Sequence, residues 1–142
     1  MTEKSKELVS SIKLVNDKLN FIGNTGNNEP ISIDYIPPLG DNLGYTSLEL
    51  LLLSLTSCLG SSILTFLRKM NKTIKNFEIK SKGLRKEEHP TGFKEIHIEI
   101  KLESENTEEK ELRKVIQMSE TYCPVLDMVK GNVQTIISFE IY

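Results

Sequence analysis

The chain has 142 residues, 38% of them hydrophobic and 27% charged, with a formal net charge of -2. That length suits one domain spanning residues 1–142 with a core of its own. The balance excludes a disordered chain and a strongly basic nucleic-acid surface. The one local basic bias, residues 68–75 (RKMNKTIK), reads as a solvated helix end.

Residues 1–6 are polar and read as a frayed terminus or the start of a strand. Residues 8–15 (LVSSIKLV) alternate loosely, Asn16-Asp17 offers a turn, and residues 19–23 resume, so the pattern predicts a hairpin. Turn formers fill residues 24–29 (NTGNNE), and period-two alternation in 31–36 (ISIDYI) predicts a third strand. Residues 37–44 (PPLGDNLG) read as a loop.

Residues 45–69 form the most apolar stretch and predict the central helix. Thr46 or Ser47 supplies an N-cap, Glu49 an acid in the first turn, and the end falls near Met70-Asn71. The run is long enough to cross a bilayer, but residues 48–67 contain Glu49 and six Ser or Thr (54, 56, 57, 61, 62, 65). Polar groups at that density are costly in hydrocarbon, so the stretch reads as a buried helix of a soluble protein.

Further on, residues 73–82 (TIKNFEIKSK) and 93–102 (FKEIHIEIKL) alternate as strands, joined by a hairpin through His89-Pro90 and Gly92. Asn106-Thr107 caps a helix that runs through EEKELRKVIQMSE, with Leu112, Ile116, Met118 and Ser119 on or near one face. Pro124 opens a short helix ending at Lys130-Gly131, and residues 133–141 (VQTIISFEI) make a last strand. The predicted class is α+β, in the order βββ-α-ββ-αα-β, with the long helix packed on antiparallel sheet.

The chemistry-bearing residues are the two cysteines, Cys58 and Cys123. On an ideal helix Cys58 shares a face with Ser54, Leu55, Ser61, Ser62 and Thr65, a seam of small side chains that leaves room for a substrate or for another helix. Taken alone, Cys58 also fits a small buried hydrophobe. Cys123 precedes Pro124 at an expected N-cap, where backbone amides would favour its thiolate. The two lie 123 - 58 = 65 positions apart, so spacing does not show that they meet. A zinc site would need His89 and His97 as further ligands, and His97 is out of phase with Ile96, Ile98 and Ile100. The chain has no Gly-x-Ser-x-Gly elbow, no phosphate-binding loop, no GxGxxG fingerprint and no local Cys-His arrangement. A dithiol redox pair or a structural domain remains. Two cysteines without a secretory signal point to a reducing cytoplasm.

The stretch SLELLLLSLTSC (47–58), its Gly/Ser-rich continuation (59–62) and YCPV (122–125) resemble the OsmC/Ohr superfamily of osmotically inducible and organic hydroperoxide resistance proteins. The likeness is nearest to the branch called YhfA-like, and the element order agrees over nearly the whole chain. It implies an intertwined homodimer with active sites at the subunit interface. It also implies thiol-dependent reduction of hydroperoxides in oxidative stress defence, with no metal or organic cofactor. Cys58 would be the peroxidatic cysteine, Cys123 the resolving one, and an external dithiol the reductant. Peroxidase members pair an Arg of the N-terminal sheet with a helix Glu. Here Arg68, Arg85 and Arg113 all lie outside the first three strands, leaving only Lys13 and Lys18 as cations there. The helix acid of the better-known branches aligns with Leu48, and Glu49, nine places before Cys58, is the available candidate. Nine residues at 100° place it about half a turn away from Cys58. The alternative reading is a non-peroxidase relative that binds a small apolar or thiol ligand at the dimer interface. A third is a structural dimerisation domain with two inert cysteines.

Overall fold

The computed structural model describes residues 7–142; residues 1–6, and the reading made of them above, lie outside the described residues. The observed order is β1 (Ser10–Leu14), β2 (Phe21–Thr25), β3 (Ile31–Ile33), α1 (Ser47–Lys69), β4 (Asn76–Arg85), β5 (Phe93–Glu103), α2 (Glu109–Tyr122), α3 (Pro124–Val129) and β6 (Gln134–Ile141). This matches the α+β order read from the sequence. The contacts divide the chain into two compact units that part at Leu50/Leu51, inside α1.

In the first unit β1, β2 and β3 form an antiparallel sheet in that order, with Leu14 opposite Phe21 and Phe21 opposite Ile33. β3 is shorter than its alternation predicts and stops at Ile33. The reason is Asp34, which turns the chain. Its buried carboxylate accepts the N–H groups of Tyr35 (2.7 Å), Leu43 (3.1 Å) and Asp41 (3.3 Å), winding residues 35–43 around one side chain. Gly40 lies so close that a Cβ there would sit 2.4 Å from Asp34 Oδ1. The loop then delivers the start of α1. Thr46 Oγ1 accepts the Glu49 N–H at 3.3 Å, while Glu49 Oε1 accepts the Thr46 N–H at 2.8 Å. This reciprocal pair satisfies two amide donors that a helix start otherwise leaves open.

In the second unit Leu55, Leu59, Ile63 and Leu67 recur at helical spacing along α1 and are fully buried. Gly60 brings the helix close to β4: a Cβ there would lie 3.2 Å from Ile79 Cδ1 and 3.3 Å from Phe77 Cε2. α1 ends at Lys69, just short of the expected Met70-Asn71, and Asn71, with a φ of 60°, turns the chain away, with Lys72 N–H donating to Leu67 O at 3.0 Å. β4 and β5 pair as an antiparallel hairpin, and Ile96, Ile98, Ile100 and Leu102 of β5 point into the core. β6 does not follow the expected antiparallel arrangement. It pairs with β5 in parallel, with Ile98 opposite Ile137. α2 and α3 supply the crossover that a parallel pair needs. α2 covers the sheet with Leu112, Val115, Ile116 and Ser119. Its N-cap is Glu108, one residue past the expected Asn106-Thr107, and the Glu111 carboxylate accepts the Glu108 N–H at 2.9 Å. Asn106 instead ties the two helices' loops together, its Oδ1 accepting the Thr73 N–H at 2.9 Å.

Candidate functional site

Cys58 lies midway along α1, half-buried, one residue before the buried Leu59. Around it three hydroxyls of the small-residue strip bond back to their own helix. Ser57 donates to Ser54 O (3.2 Å), Ser61 to Ser57 O (2.7 Å) and Thr65 to Ser61 O (2.7 Å). Hydroxyls that bond back to their own helix expose little more than their small volume, so this strip admits close approach.

Cys123 is fully buried and joins two helices. It ends α2, where its N–H donates to Ser119 O at 3.0 Å, and it begins α3, where its Sγ accepts the Leu126 N–H at 3.3 Å. The expected N-cap position is therefore observed. The expected consequence is not. Burial, followed by the hydrogen bond it shares with Cys58, pushes the Cys123 thiol up to about 11; the charge of Cys58 adds to this, and the Leu126 and Val125 amides offset it only partly. Taking a thiolate out of water costs more than one turn of a six-residue helix returns. Both thiols are free, and the Cys58 side chain is within hydrogen-bonding range of Cys123. Tertiary structure has thus brought together the two residues that sequence spacing left apart, with Cys123 as the partner that keeps its proton.

The other sequence candidates fall elsewhere. The Glu49 carboxylate is engaged at the N-cap of α1 by the Thr46 amide. Lys18 reaches Asp41 at 2.8 Å, and that hydrogen bond, with the Asp41 charge, raises its pKa; Lys13 is exposed on β1. Arg85 donates to Thr91 O at 2.7 Å, and Arg113 pairs with Glu109 at 2.6 Å and lies over the Phe139 ring. His97 is half-exposed on β5 and contacts Glu95, as its phase in the strand implies. Among the described residues no group of three or more His, Cys, Asp or Glu could hold a metal ion.

Two residues to which the sequence assigns no chemical role belong to this region. Tyr122, 68% exposed beside Cys123, packs its ring tilted at 54° against Phe66 of α1, with centroids 5.7 Å apart. Ser119, on the expected face of α2, is fully buried, and its hydroxyl has no partner among the described residues.

A fold with this order, and two thiols facing each other between its longest helix and the α2–α3 junction, defines a class. The sequence matches the OsmC-like protein family over residues 40–138, and the chain belongs to that family. Among solved structures, a hypothetical protein from Aquifex aeolicus VF5 is 31% identical over 97% of this chain and 98% of its own, with a TM-score of 0.85. An OsmC-like protein from Mycoplasma pneumoniae is 18% identical over 99% of each chain, with a TM-score of 0.80. The organic hydroperoxide resistance protein OhrB of Bacillus subtilis shares the fold at 13% identity and a TM-score of 0.65, covering 94% of this chain and 98% of its own. No curated protein matches the sequence.

Proposed function

We propose that this chain is a thiol-dependent reductase of organic hydroperoxides, acting in oxidative stress defence in the cytoplasm as a homodimer. The observation that carries the reading is the pairing of Cys58, half-buried, with Cys123, fully buried and holding its proton. An asymmetric dithiol of this kind divides the work. The Cys58 thiolate attacks the terminal peroxide oxygen, an S–O bond forms, the O–O bond breaks, and the alkoxide leaves as an alcohol after taking a proton. The Cys123 sulfur then attacks Cys58 at sulfur, forming the S–S bond and releasing the hydroxyl as water. An external dithiol restores both thiols by two exchange steps, becoming a disulfide itself. The chemistry asks for no metal or organic cofactor.

Homodimerisation is supported by what the single chain leaves uncovered. α1 is long and apolar enough to span a membrane, yet only 28% of that stretch is buried within the chain. Leu53 is 50% exposed on α1, and Met128 of α3 is 71% exposed. A second copy laid along the small-residue strip would cover such a surface without separating the helices.

The test is to treat reduced protein with cumene hydroperoxide and count thiols. Two thiols per chain should fall to none, with a Cys58–Cys123 disulfide found by peptide mapping. Cys58→Ser should abolish peroxide consumption, and Cys123→Ser should leave one turnover. Retention of both thiols in excess peroxide would overturn the reading. It would favour a relative that binds a small apolar or thiol ligand, a reading supported by the engagement of Lys18 with Asp41 and the absence of arginine from the first three strands.

A further inference from the structure

The buried Ser119 hydroxyl poses a physical question. Ser119 is fully buried in α2 and is the only buried side-chain oxygen or nitrogen without a hydrogen-bond partner among the described residues. A buried hydroxyl left unpaired is destabilising, and a serine in a helix normally avoids this by donating to the carbonyl four residues back. Two hydroxyls of α1 do so: Ser61 donates to Ser57 O and Thr65 to Ser61 O. Ser119 does not.

Its place explains why an uncommitted donor is useful. Ser119 lies one turn before Cys123, which donates its N–H to Ser119 O at 3.0 Å. Ser119 and Cys123 are four residues apart at the end of α2, the spacing that puts two side chains on the same face of a helix. In the reduced protein Cys123 is a thiol whose sulfur already accepts from Leu126 N–H and which shares a hydrogen bond with Cys58. Conversion of Cys58 to a sulfenic acid makes its sulfur an electrophile, while Cys123 still carries its thiol proton. The Cys123 sulfur must then lose that proton inside a dry site to act as a nucleophile. The groups facing it are Cys58 from α1, the Leu126 and Val125 amides from α3, and the Ser119 turn of α2.

We propose that Ser119 is a positioning residue for disulfide formation, its side chain turning about χ1 so that the hydroxyl donates to the Cys123 sulfur as that sulfur attacks Cys58. The inference rests on the dithiol reading above. In the step it assists, the Cys123 sulfur forms the S–S bond, the Cys58 S–O bond breaks, and the departing hydroxide takes the Cys123 proton to leave as water. The oxidant is the hydroperoxide consumed one step earlier. The donor is unpaired in the reduced state and paired when negative charge develops, so it favours the reacting state selectively.

The test follows both half-steps after one equivalent of cumene hydroperoxide, trapping sulfenic acid with dimedone and quantifying the disulfide by mass spectrometry. In Ser119→Ala, Cys58 should oxidise at the wild-type rate. The disulfide should appear about tenfold more slowly, since a hydrogen bond to a charged group is lost. The pH profile of the closing step should move upward, and Ser119→Thr should recover most of the rate. A merely structural hydroxyl predicts the opposite pattern, because deleting an unpaired buried group leaves thermal stability equal or higher and the closing rate unchanged. Wild-type closing kinetics and pH profile in Ser119→Ala would overturn the proposal. A second arm needs no peroxide: the Cys123 13Cβ shift is titrated in Cys58→Ala with and without Ser119→Ala. An upward-shifted titration without the hydroxyl supports the role, and coincident curves reject it. Absence of any disulfide in the wild type would sink the dithiol reading, while this titration still decides what Ser119 does.

Discussion

The two units of this protein are built on different physics. In residues 7–50 no apolar side chain is buried: the buried positions are Asn20, Gly23, Asp34 and Gly40. All five residues of β1 are exposed, and Ile12, Leu14, Ile22 and Ile31 are each at least one-third accessible. Hydrogen bonds give this unit its shape, notably the three amides on Asp34 and the Asn20 side chain that donates to Ser32 Oγ (2.8 Å) and Ile33 O (3.1 Å). Residues 51–142 hold the whole apolar core, from Leu55 to Leu126. The contrast shows what each kind of interaction can do. Polar networks specify a loop closely but contribute about 1 kcal/mol net per bond, whereas each fully buried leucine or isoleucine contributes about 1.5–3 kcal/mol. The apolar side chains of this sheet stay exposed. Two facing thiols need a rigid, dry frame, and they sit in the unit that has one.

The sharpest way to probe this contrast is a pair of truncations. Leu59→Ala, in the core, should lower unfolding free energy by about 2–5 kcal/mol in urea titration. Ile12→Ala, at a side chain 60% exposed, should change the unfolding free energy of a single chain by less than about 0.5 kcal/mol. Ile12→Asp should shift sedimentation toward a single chain if a second copy covers that face. Self-association unchanged by Ile12→Asp would break the idea that the first unit is completed by a partner.

A smaller effect is expected at Gly83 in β4. A Cβ there would lie 2.3 Å from Phe93 Cε1, so Gly83→Ala must displace a buried ring and should cost about 1–3 kcal/mol by thermal unfolding. Insensitivity at this position would mean that the core tolerates more rearrangement than its packing implies.

The finest test concerns the loop at Asp34. Burial works to raise the pKa of this carboxyl, but the amides of Tyr35, Leu43 and Asp41 prevail and hold it below the ordinary carboxylate value. A lowered folded value means that the stabilisation is fully present above the unfolded pKa of about 3.9 and is lost as pH falls through the folded value. Asp34→Asn should therefore lower the melting temperature at pH 7, and its difference from the wild type should shrink below about pH 4. A constant difference across acid pH would show that the amides do not depend on the charge.

Much of the architecture was legible because periodicity reports burial directly. Ile96, Ile98 and Ile100 alternate as a strand must, and Leu55, Leu59 and Ile63 recur as a helix must. The chain's element order and the end of α1 at Lys69, within two residues of the expected Met70-Asn71, follow from such signals. The early end of β3 does not, since Ile31 to Ile36 alternates without interruption and only the folded loop shows Asp34 collecting three amides. The parallel pairing of β6 was also hidden, because direction depends on where α2 and α3 carry the chain and not on the alternation of β6 itself.

The same division holds at the thiols. Sequence alone identified Cys58 in the most apolar helix, Cys123 before Pro124, and the family to which that pairing of motifs belongs. These are local patterns, carried by neighbours a few residues away. Tertiary structure decided that residues 65 positions apart face each other, that burial holds the Cys123 proton against the pull of its amides, and that Ser119 keeps a hydroxyl free one turn away. Such outcomes turn on water exclusion and on contacts across the fold, which no local stretch of sequence encodes.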